Sequence, residues 1–340
     1  MSEPSTQAAQ AAWPKTIAGI QIGEHDFDPA PLTDLGAGDL AADDPMWKRR
    51  LRVFLDNKMA CVAVVLFVAV CIFGFLGPLF VDATYDQVFR GEEKLAPCAA
   101  HLFGTDTMGR DMLVRCMYGA RISLMVGFVT AIAVVIIGCT YGAIAGWCGG
   151  KVDMVLMRIV EIINSLPGQL VVLIMTISLK TPIESLFEVL PESFITEAGS
   201  GMVCILLAFA LLYWTDLARI VRGQILQLKN EGYAMAAQSM GAKGPSVVWS
   251  HLLPNSIPII IVNVTALIKD SIFAEAFLSF IGMGVSVPMA SLGTLINSAR
   301  TYMMLYPYLM IEPAVLIFII TWSLYVIGDA IQDAFDPRML

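Results

Sequence analysis

Along most of its length the chain sets apolar residues in unbroken runs, not in the alternation of a half-buried strand or the narrow stripe of an amphipathic helix. Six such runs, at 59–80, 122–145, 154–179, 202–220, 257–281 and 308–329, approach the roughly twenty residues a helix needs to cross a bilayer. They predict an all-α integral membrane protein with six transmembrane helices. Two of the spans carry small or helix-breaking residues. Gly138, Gly142 and Gly146 recur every fourth position in the second, a spacing that lets a neighbouring backbone approach closely and predicts helix packing ahead of pore lining. Pro167–Gly168 falls inside the third and predicts a kink, which packing alone or a translocation path would explain.

The segments between the runs alternate sides. Segments 81–121, 180–201 and 282–307 fall on one side, and 146–153, 221–256 and 330–340 on the other. The most informative is Glu231–Pro258, which reads as two short helices broken at Gly241-Ala242-Lys243-Gly244. The first, about 232–240, offers small residues at Ala234, Ala236 and Ala237. The second, 245–252, opens on Pro245, where the missing N–H is tolerated, and predicts Val247, Val248 and Trp249 on a surface facing water. A compact apolar knob on a short helix suits docking into a partner's groove. The alternative, a helix resting on headgroups, would want a basic face that this segment lacks.

Charge orients the pattern. Residues 46–58 form a basic amphipathic stretch in which Lys48, Arg49, Arg50, Arg52 and Lys58 place the N-terminus inside by the positive-inside rule. Upstream, 1–45 carries Glu3, Glu24, Asp26, Asp28, Asp34, Asp39, Asp43 and Asp44 against Lys15, with few large apolar groups. Such a stretch buries too little surface to offset chain entropy and is expected to be a disordered cytoplasmic tail. The net charge of −8 therefore sits mostly in the tail and says nothing about a substrate. The bulk numbers agree with membrane residence: 57% hydrophobic and 15% charged residues and a mean hydropathy of +0.72.

Candidate chemistry is sparse. The seven cysteines and three histidines make no metal-ligand spacing, although Cys98 and Cys116 share one predicted loop and a disulfide between them is conceivable. No HExxH, no nucleophile motif and no GxxxxGK[ST] phosphate loop occurs, so neither an intramembrane enzyme nor an ATPase is legible. A proton-coupled secondary transporter would want more spans and repeat symmetry. Charges within the fifth span, Lys269, Asp270 and Glu275, are expensive in a bilayer and either pair to fix packing or line a polar path. Glu275 favours the packing role, and the other two are open. Arg158 and Glu161 are spaced to pair on one helix. Arg219 and Arg222 close the fourth span and are expected among headgroups or on the 221–256 loop, while Asp106, Arg110 and Asp111 precede the second and either cap a short external helix, the favoured reading, or form part of a seat for a substrate-delivering protein.

Several segments carry a family resemblance. Ala236-Ala237, then Gly241, then His251-Leu252-Leu253-Pro254 resembles the EAA loop of binding-protein-dependent ABC importer permeases, although Met235 stands where that motif has its acid. His101–Leu124, Gly146–Pro167, Trp214–Gln224, Ala274–Gly284 and Gly328–Arg338 resemble, in order, segments of the dipeptide/oligopeptide permease subfamily, C-type subunit. The resemblance implies an ATPase-coupling loop carried by Ala236, Ala237, Gly241, Ala242, Val247, Val248, Trp249, Leu253 and Pro254 between the fourth and fifth spans. Glu275, Lys269, Asp270 and Pro167 are the candidates for path or packing. It implies a bacterial inner-membrane importer subunit for di- or oligopeptides, or alternatively for a metal chelate such as nickel, with both termini cytoplasmic. Expected partners are a homologous B-type permease, two ABC ATPase subunits, an extracytoplasmic binding protein, peptide and lipid, with no nucleic acid. ATP and Mg would bind the partners, and no cofactor or metal this chain. The organisation implied is a tail (1–45), an N-terminal interfacial helix with the first span and external loop (46–118), a type-1 permease domain (119–332) and a C-terminal stub (333–340).

Overall fold

The computed structural model describes residues 16–17, 20–21, 46–81, 83–187, 199–284 and 289–335. The chain divides into two units, Met1–Arg49 and Arg50–Leu340. In the first, Thr16–Ile17 (β1) and Ile20–Gln21 (β2) pair antiparallel, Thr16 opposite Gln21. The expectation of disorder for 1–45 otherwise lies outside the described residues, as does the end of the 333–340 stub. Helix α1, Met46–Asp56, crosses the division and stops at Asn57. The Asn57 side chain accepts from the backbone N–H groups of Met59 (3.1 Å) and Ala60 (3.2 Å), capping the next helix.

Six helical segments among the described residues are long and apolar enough to cross a membrane. They are α2 (Lys58–Phe75), α3 (Met112–Cys148), α5 (Gly168–Phe187), the pair α6 (Ser200–Leu212) and α7 (Trp214–Leu228), the run ending in α10 (Leu253–Phe280), and α12 (Tyr308–Phe335). Shorter helices fill the connections: α4 (Gly150–Asn164), α8 (Gly232–Ser239), α9 (Gly244–Val247) and α11 (Leu292–Ala299).

Two expectations are corrected here. The third span is not one kinked helix over 154–179. That run is split at Ser165–Pro167 into α4 and α5, of which only α5 is membrane-length, because Pro167 has no N–H to give and disfavours helical geometry before it. Pro167 instead opens α5, its carbonyl accepting from Leu170 N (3.0 Å) and Val171 N (3.2 Å). The second span also begins ten residues earlier than the apolar run suggests. Asp111 caps α3 by accepting from Leu113 N (2.8 Å) and Val114 N (3.2 Å). Arg115, one turn in, is paired with Asp106, so its charge does not stop the helix. At 37 residues and about 1.5 Å per residue, α3 reaches well past a hydrocarbon core of about 30 Å.

Helix α3 is the centre of the bundle, with buried residues along most of its length. Its glycine row meets α7, and the register advances in the same direction on both helices. A methyl on Gly138 would meet Trp214 O, on Gly142 Ala218 O, and on Gly146 Arg222 O. The packing expectation for these glycines is met. A second seam joins α3 to α2, α10 and α12 around Leu124, Ile272 and Ile320, and a third joins α5 and α6 to α3 and α10 around Val126, Phe209 and Leu278. Helix α4 is strapped to the bundle from outside. Tyr141 Oη donates to Leu156 O (2.9 Å), Thr215 Oγ1 to Asn164 Oδ1 (2.8 Å), and the Arg222 guanidinium makes a two-point contact with Asp153, each at 2.5 Å. Arg222 is thus an interhelix tie, not a headgroup contact. That ion pair, led by its hydrogen bond, holds the Asp153 carboxyl below its ordinary range. Arg158 and Glu161 pair at 2.9 Å on the exposed side of α4.

Between α2 and α3, residues 83–111 form a lobe cross-tied by Phe89 N to Gly109 O (2.9 Å), Lys94 N to Asp106 O (3.0 Å) and Thr105 N to Leu95 O (3.1 Å). Asp106 binds the guanidinium groups of Arg110 and Arg115. Burial alone would raise its carboxyl, but the N–H donors of Arg110 and Met108 and the guanidinium charges hold it low. His101, buried beside Phe89, contacts Asp111 Oδ2 through Nδ1 (2.7 Å) and Glu92 Oε2 through Nε2 (3.0 Å). Cys98 is exposed and Cys116 lies buried inside α3, both as free thiols, so no disulfide joins them.

The hydrogen bond to Asp111, opposed by burial and reinforced by Glu92, raises His101 above its ordinary value. A raised folded pKa contributes stability that is complete below the unfolded value of about 6.5 and is lost as pH rises through the folded value. Amide exchange in 89–111, corrected for intrinsic rates, is therefore expected to accelerate on going from pH 6 towards pH 9. In His101→Gln it should be uniformly fast, with this pH step gone. An unchanged step in the variant would assign it to another group.

Candidate functional site

The segment linking the fourth and fifth spans is rigid on one side and bare on the other. Helix α7 ends at Lys229, whose Nζ donates to Gly146 O (3.1 Å) and fixes the start of the loop to the end of α3. Helix α8 follows, with Ala234 and Ala237 buried. Its end is closed by backbone bonds from Gly241 N to Gln238 O (2.9 Å) and from Ala242 N to Ala237 O (3.1 Å). This is a Schellman closure, which places Gly241 at φ +87°, a conformation that favours glycine. Ala242 packs with Ala237 on the same inner cluster, the apolar contact that accompanies the motif.

Helix α9 begins at Gly244–Pro245, where a side chain on Gly244 would collide with Trp147. It passes through a π turn, Val248–Leu252, directly into α10. Pro254 has no N–H for the carbonyl one turn back, and its ring crowds that carbonyl; the wider turn accommodates both. The second short helix is thus the leading end of the fifth span rather than a separate element.

The structure divides the nine loop residues. Ala237, Val247, Val248 and Leu253 are buried, packed with Val160, Leu217, Val221 and Ile225. The expectation that Val247 and Val248 face water is therefore wrong: they are the underside that anchors the loop. Ala236, Gly241, Trp249 and Pro254 are exposed, and Ala242 is half-buried. The apolar surface that remains bare is larger than Trp249 (57% exposed) and includes Tyr233 (40%), Met235 (54%) and Met240 (83%). Sequence reading passed over Tyr233 and Met240. On a helical wheel Tyr233 falls on the flank of the Ala234–Ala237 side, and Met240 lies past the last turn of α8, so periodicity alone does not mark either as bare. Met235, which departs from the motif's acid, is also exposed.

Glu275 lies fully buried in α10. It accepts hydrogen bonds from Ser123 Oγ of α3 (2.8 Å) and Ser279 Oγ (2.7 Å), with Ser291, the cap of α11, beside it. It borders none of the principal cavities, and joins three helices. Glu275→Gln keeps an acceptor for these hydroxyls and is expected to assemble and transport nearly as wild type. Glu275→Leu strands them and should destabilise by about 2–4 kcal/mol, read as thermal unfolding of the purified complex. A Gln variant that assembles normally but takes up no substrate would overturn the packing role.

Lys269 Nζ reaches Asp270 Oδ1 at 3.3 Å and lies 5.7 Å from the Tyr325 ring centre. Asp270 also borders a cavity of about 280 Å³ with Tyr213, Asp216 and Asn263, so the two residues stay paired while Lys269 reaches Tyr325 of α12 and Asp270 edges a cleft. Pro167 is exposed in the α4–α5 break and borders no principal cavity. A cavity of about 670 Å³ lies at the opposite end of the bundle, walled by the start of α3, the ends of α5 and α10, the start of α6, and α11. Among the described residues no three His, Cys, Asp or Glu side chains converge as a metal site.

Comparison with known proteins agrees with this architecture. Residues 138–340 match the family model described as binding-protein-dependent transport system inner membrane component. Residues 45–97 match the N-terminal TM domain of oligopeptide transport permease C. The oligopeptide transport system permease protein OppC of Bacillus subtilis is 35% identical over 294 residues, 86% of this chain and 90% of that protein. The dipeptide transport system permease protein DppC of the same organism is 36% identical, covering 86% and 84%. OppC of Escherichia coli K12 is 35% identical, covering 86% and 91%. Six membrane-length helices around α3 and family matches at both ends of the chain lead to one statement: this multi-pass membrane protein belongs to the binding-protein-dependent transport system inner membrane component family, among the oligopeptide and dipeptide permeases.

Proposed function

We propose that this chain is one permease half of an ATP-driven importer for di- or oligopeptides. It would sit in a bacterial inner membrane with both termini and the 229–256 loop in the cytoplasm. The observation that carries the reading is the bare apolar face Tyr233–Met235–Met240–Trp249 above a buried, multiply tied underside. An apolar patch that neither folds back nor meets lipid favours a protein partner. We assign that partner as an ATP-hydrolysing subunit, with a second copy of it engaging a homologous permease. Substrate would arrive on an extracytoplasmic binding protein and pass between the two permeases.

Coupling needs the patch to be bound differently in the two nucleotide states, since equal affinity for both shifts nothing. It also needs a stiff connection. Val247, Val248 and Leu253 pack against α7, and the π turn runs without a gap into α10, so a force on α8 and α9 is delivered to α10 instead of being absorbed in a loose loop. The test is co-purification of the tagged chain from its native membrane followed by uptake of labelled peptide into vesicles. The expected result is a complex holding a second permease and ATPase subunits, with uptake that stops on ATP depletion and survives collapse of the proton gradient. Uptake that instead follows the proton gradient, or a chain that purifies alone, would overturn the reading.

A further inference from the structure

The 670 Å³ cavity is distinguished by the charge on its wall. Arg110, Arg115 and Lys180 border it, and among the described lining residues no carboxylate does. Arg110 and Arg115 share one carboxylate, Asp106, so two guanidinium groups are balanced by a single negative charge. Arg115 is only 7% exposed, and its Nε has no acceptor among the described residues. Lys180, at the end of α5, is exposed and makes no ion pair among the described residues. With Glu184, one turn beyond Lys180 and acting on Cys204 of the wall, counted beside Asp106, the described surroundings keep a surplus of one positive charge. Thr107, Asn297 and Ser298 supply further polar groups, and Ile177, Met283 and Met289 give it apolar sides. A volume of this size suits a small organic ligand, and a few polar groups in an otherwise apolar wall fix its orientation.

From this we infer that the cavity is a subsite of this permease for the C-terminal carboxylate of a peptide, with Lys180 and Arg115 as its counter-charges and the apolar wall for a side chain. The inference rests on the peptide-importer reading above, under which this end of the bundle faces the binding protein. A guanidinium with a free N–H and a mobile ammonium together match a carboxylate, which accepts at both oxygens. An apolar or cationic cargo would gain nothing from the surplus charge. The site also predicts direction, because a peptide held here by its carboxyl end points its ammonium deeper, towards the cleft bordered by Asp216 and Asp270.

The experiment uses the complete transporter in proteoliposomes with two probes, tetra-alanine and its C-terminal amide, which differ only in the carboxylate. The quantity read is the ratio of kcat/KM for acid over amide in wild type, Lys180→Gln and Lys180→Arg. Any preference of the binding protein cancels, because the same binding protein serves all three permeases. The expected result is a threefold to tenfold fall of the ratio in Lys180→Gln, the range for an ion pair partly shielded from water, and its recovery in Lys180→Arg. Vigorous uptake with the same ratio in all three overturns the subsite alone. No ATP-dependent uptake of either peptide by the wild type overturns the importer reading, and the subsite with it.

Discussion

Replacing Met240 and Trp249 together by glutamate is expected to leave the chain folded, inserted and paired in the membrane, yet to reduce ATP-driven uptake at least tenfold. Both side chains are exposed, at 83% and 57%, so neither substitution empties the core of the chain. Each instead places a hydrated charge where an apolar face would be buried against a partner, and desolvating an unpaired carboxylate costs several kcal/mol. Loss of 2 kcal/mol or more at a docking surface weakens binding by about thirtyfold. The readouts are pull-down of the ATPase subunits and vesicle uptake, with thermal unfolding of the permease as the control. Normal uptake in a well-assembled variant would remove this face from the coupling mechanism. Met235→Glu is the informative companion, because it restores the acid that the family motif carries at a position this chain leaves apolar. Its exposed setting predicts a folded protein, and uptake then reports whether the partner tolerates charge at that point.

The second large effect is expected at Gly142. A side-chain methyl there would lie 2.4 Å from Ala218 O, 2.9 Å from Val221 Cβ and 3.0 Å from Arg222 N. Two of those atoms are backbone and cannot rotate away, so α3 and α7 must separate. Separation would disturb the two ties that flank the contact, Arg222 with Asp153 and Lys229 with Gly146 O. Gly142→Ala is expected to destabilise by about 2–3 kcal/mol, and Gly142→Val by more, with most of the protein lost before assembly. Gly223 provides the matched control on the facing helix. Nothing lies within 4 Å of its hypothetical methyl, so Gly223→Ala should be neutral or slightly stabilising through helix propensity. The measurement is yield of assembled complex and its unfolding temperature across the three variants. Equal behaviour of Gly142→Ala and Gly223→Ala would mean that the α3–α7 contact is looser than its geometry.

The consequence for coupling is direct. The glycine row brings α3 and α7 into backbone contact, and the loop that carries the bare apolar patch is anchored on the far end of that same pair. Ala237, Gly241 and Ala242, which stand out in the motif, act mainly as a helix stop. Ala237 and Ala242 pack inward, and Gly241 takes the left-handed turn. Their part in coupling is to orient α8, and the contact surface lies in their neighbours Tyr233, Met235, Met240 and Trp249.

Sequence by itself determined the number of spans, the close packing of the glycine row, a helix cap within the Asp106–Asp111 segment and the family. Each of these depends on local properties: hydrophobic length, the repeat of small residues, the chemistry at a helix start, or motif order. Only the tertiary structure decided which way apolar residues face. Val247 and Val248 read as an exposed knob but are buried, while Met240, which attracted no attention, is bare. The physical reason is that on a short loop helix both the side packed on the bundle and a side left bare can be apolar, so hydrophobicity ceases to mark the inside. Helix limits also followed distant partners. Arg115 lies within α3 because Asp106 pairs with it, and α4 lies apart from α5, with Asp153 bound to Arg222 across 69 positions of sequence. Charge-pair geometry of that kind has no local signature, and it is what sets the bare loop face on a rigid base.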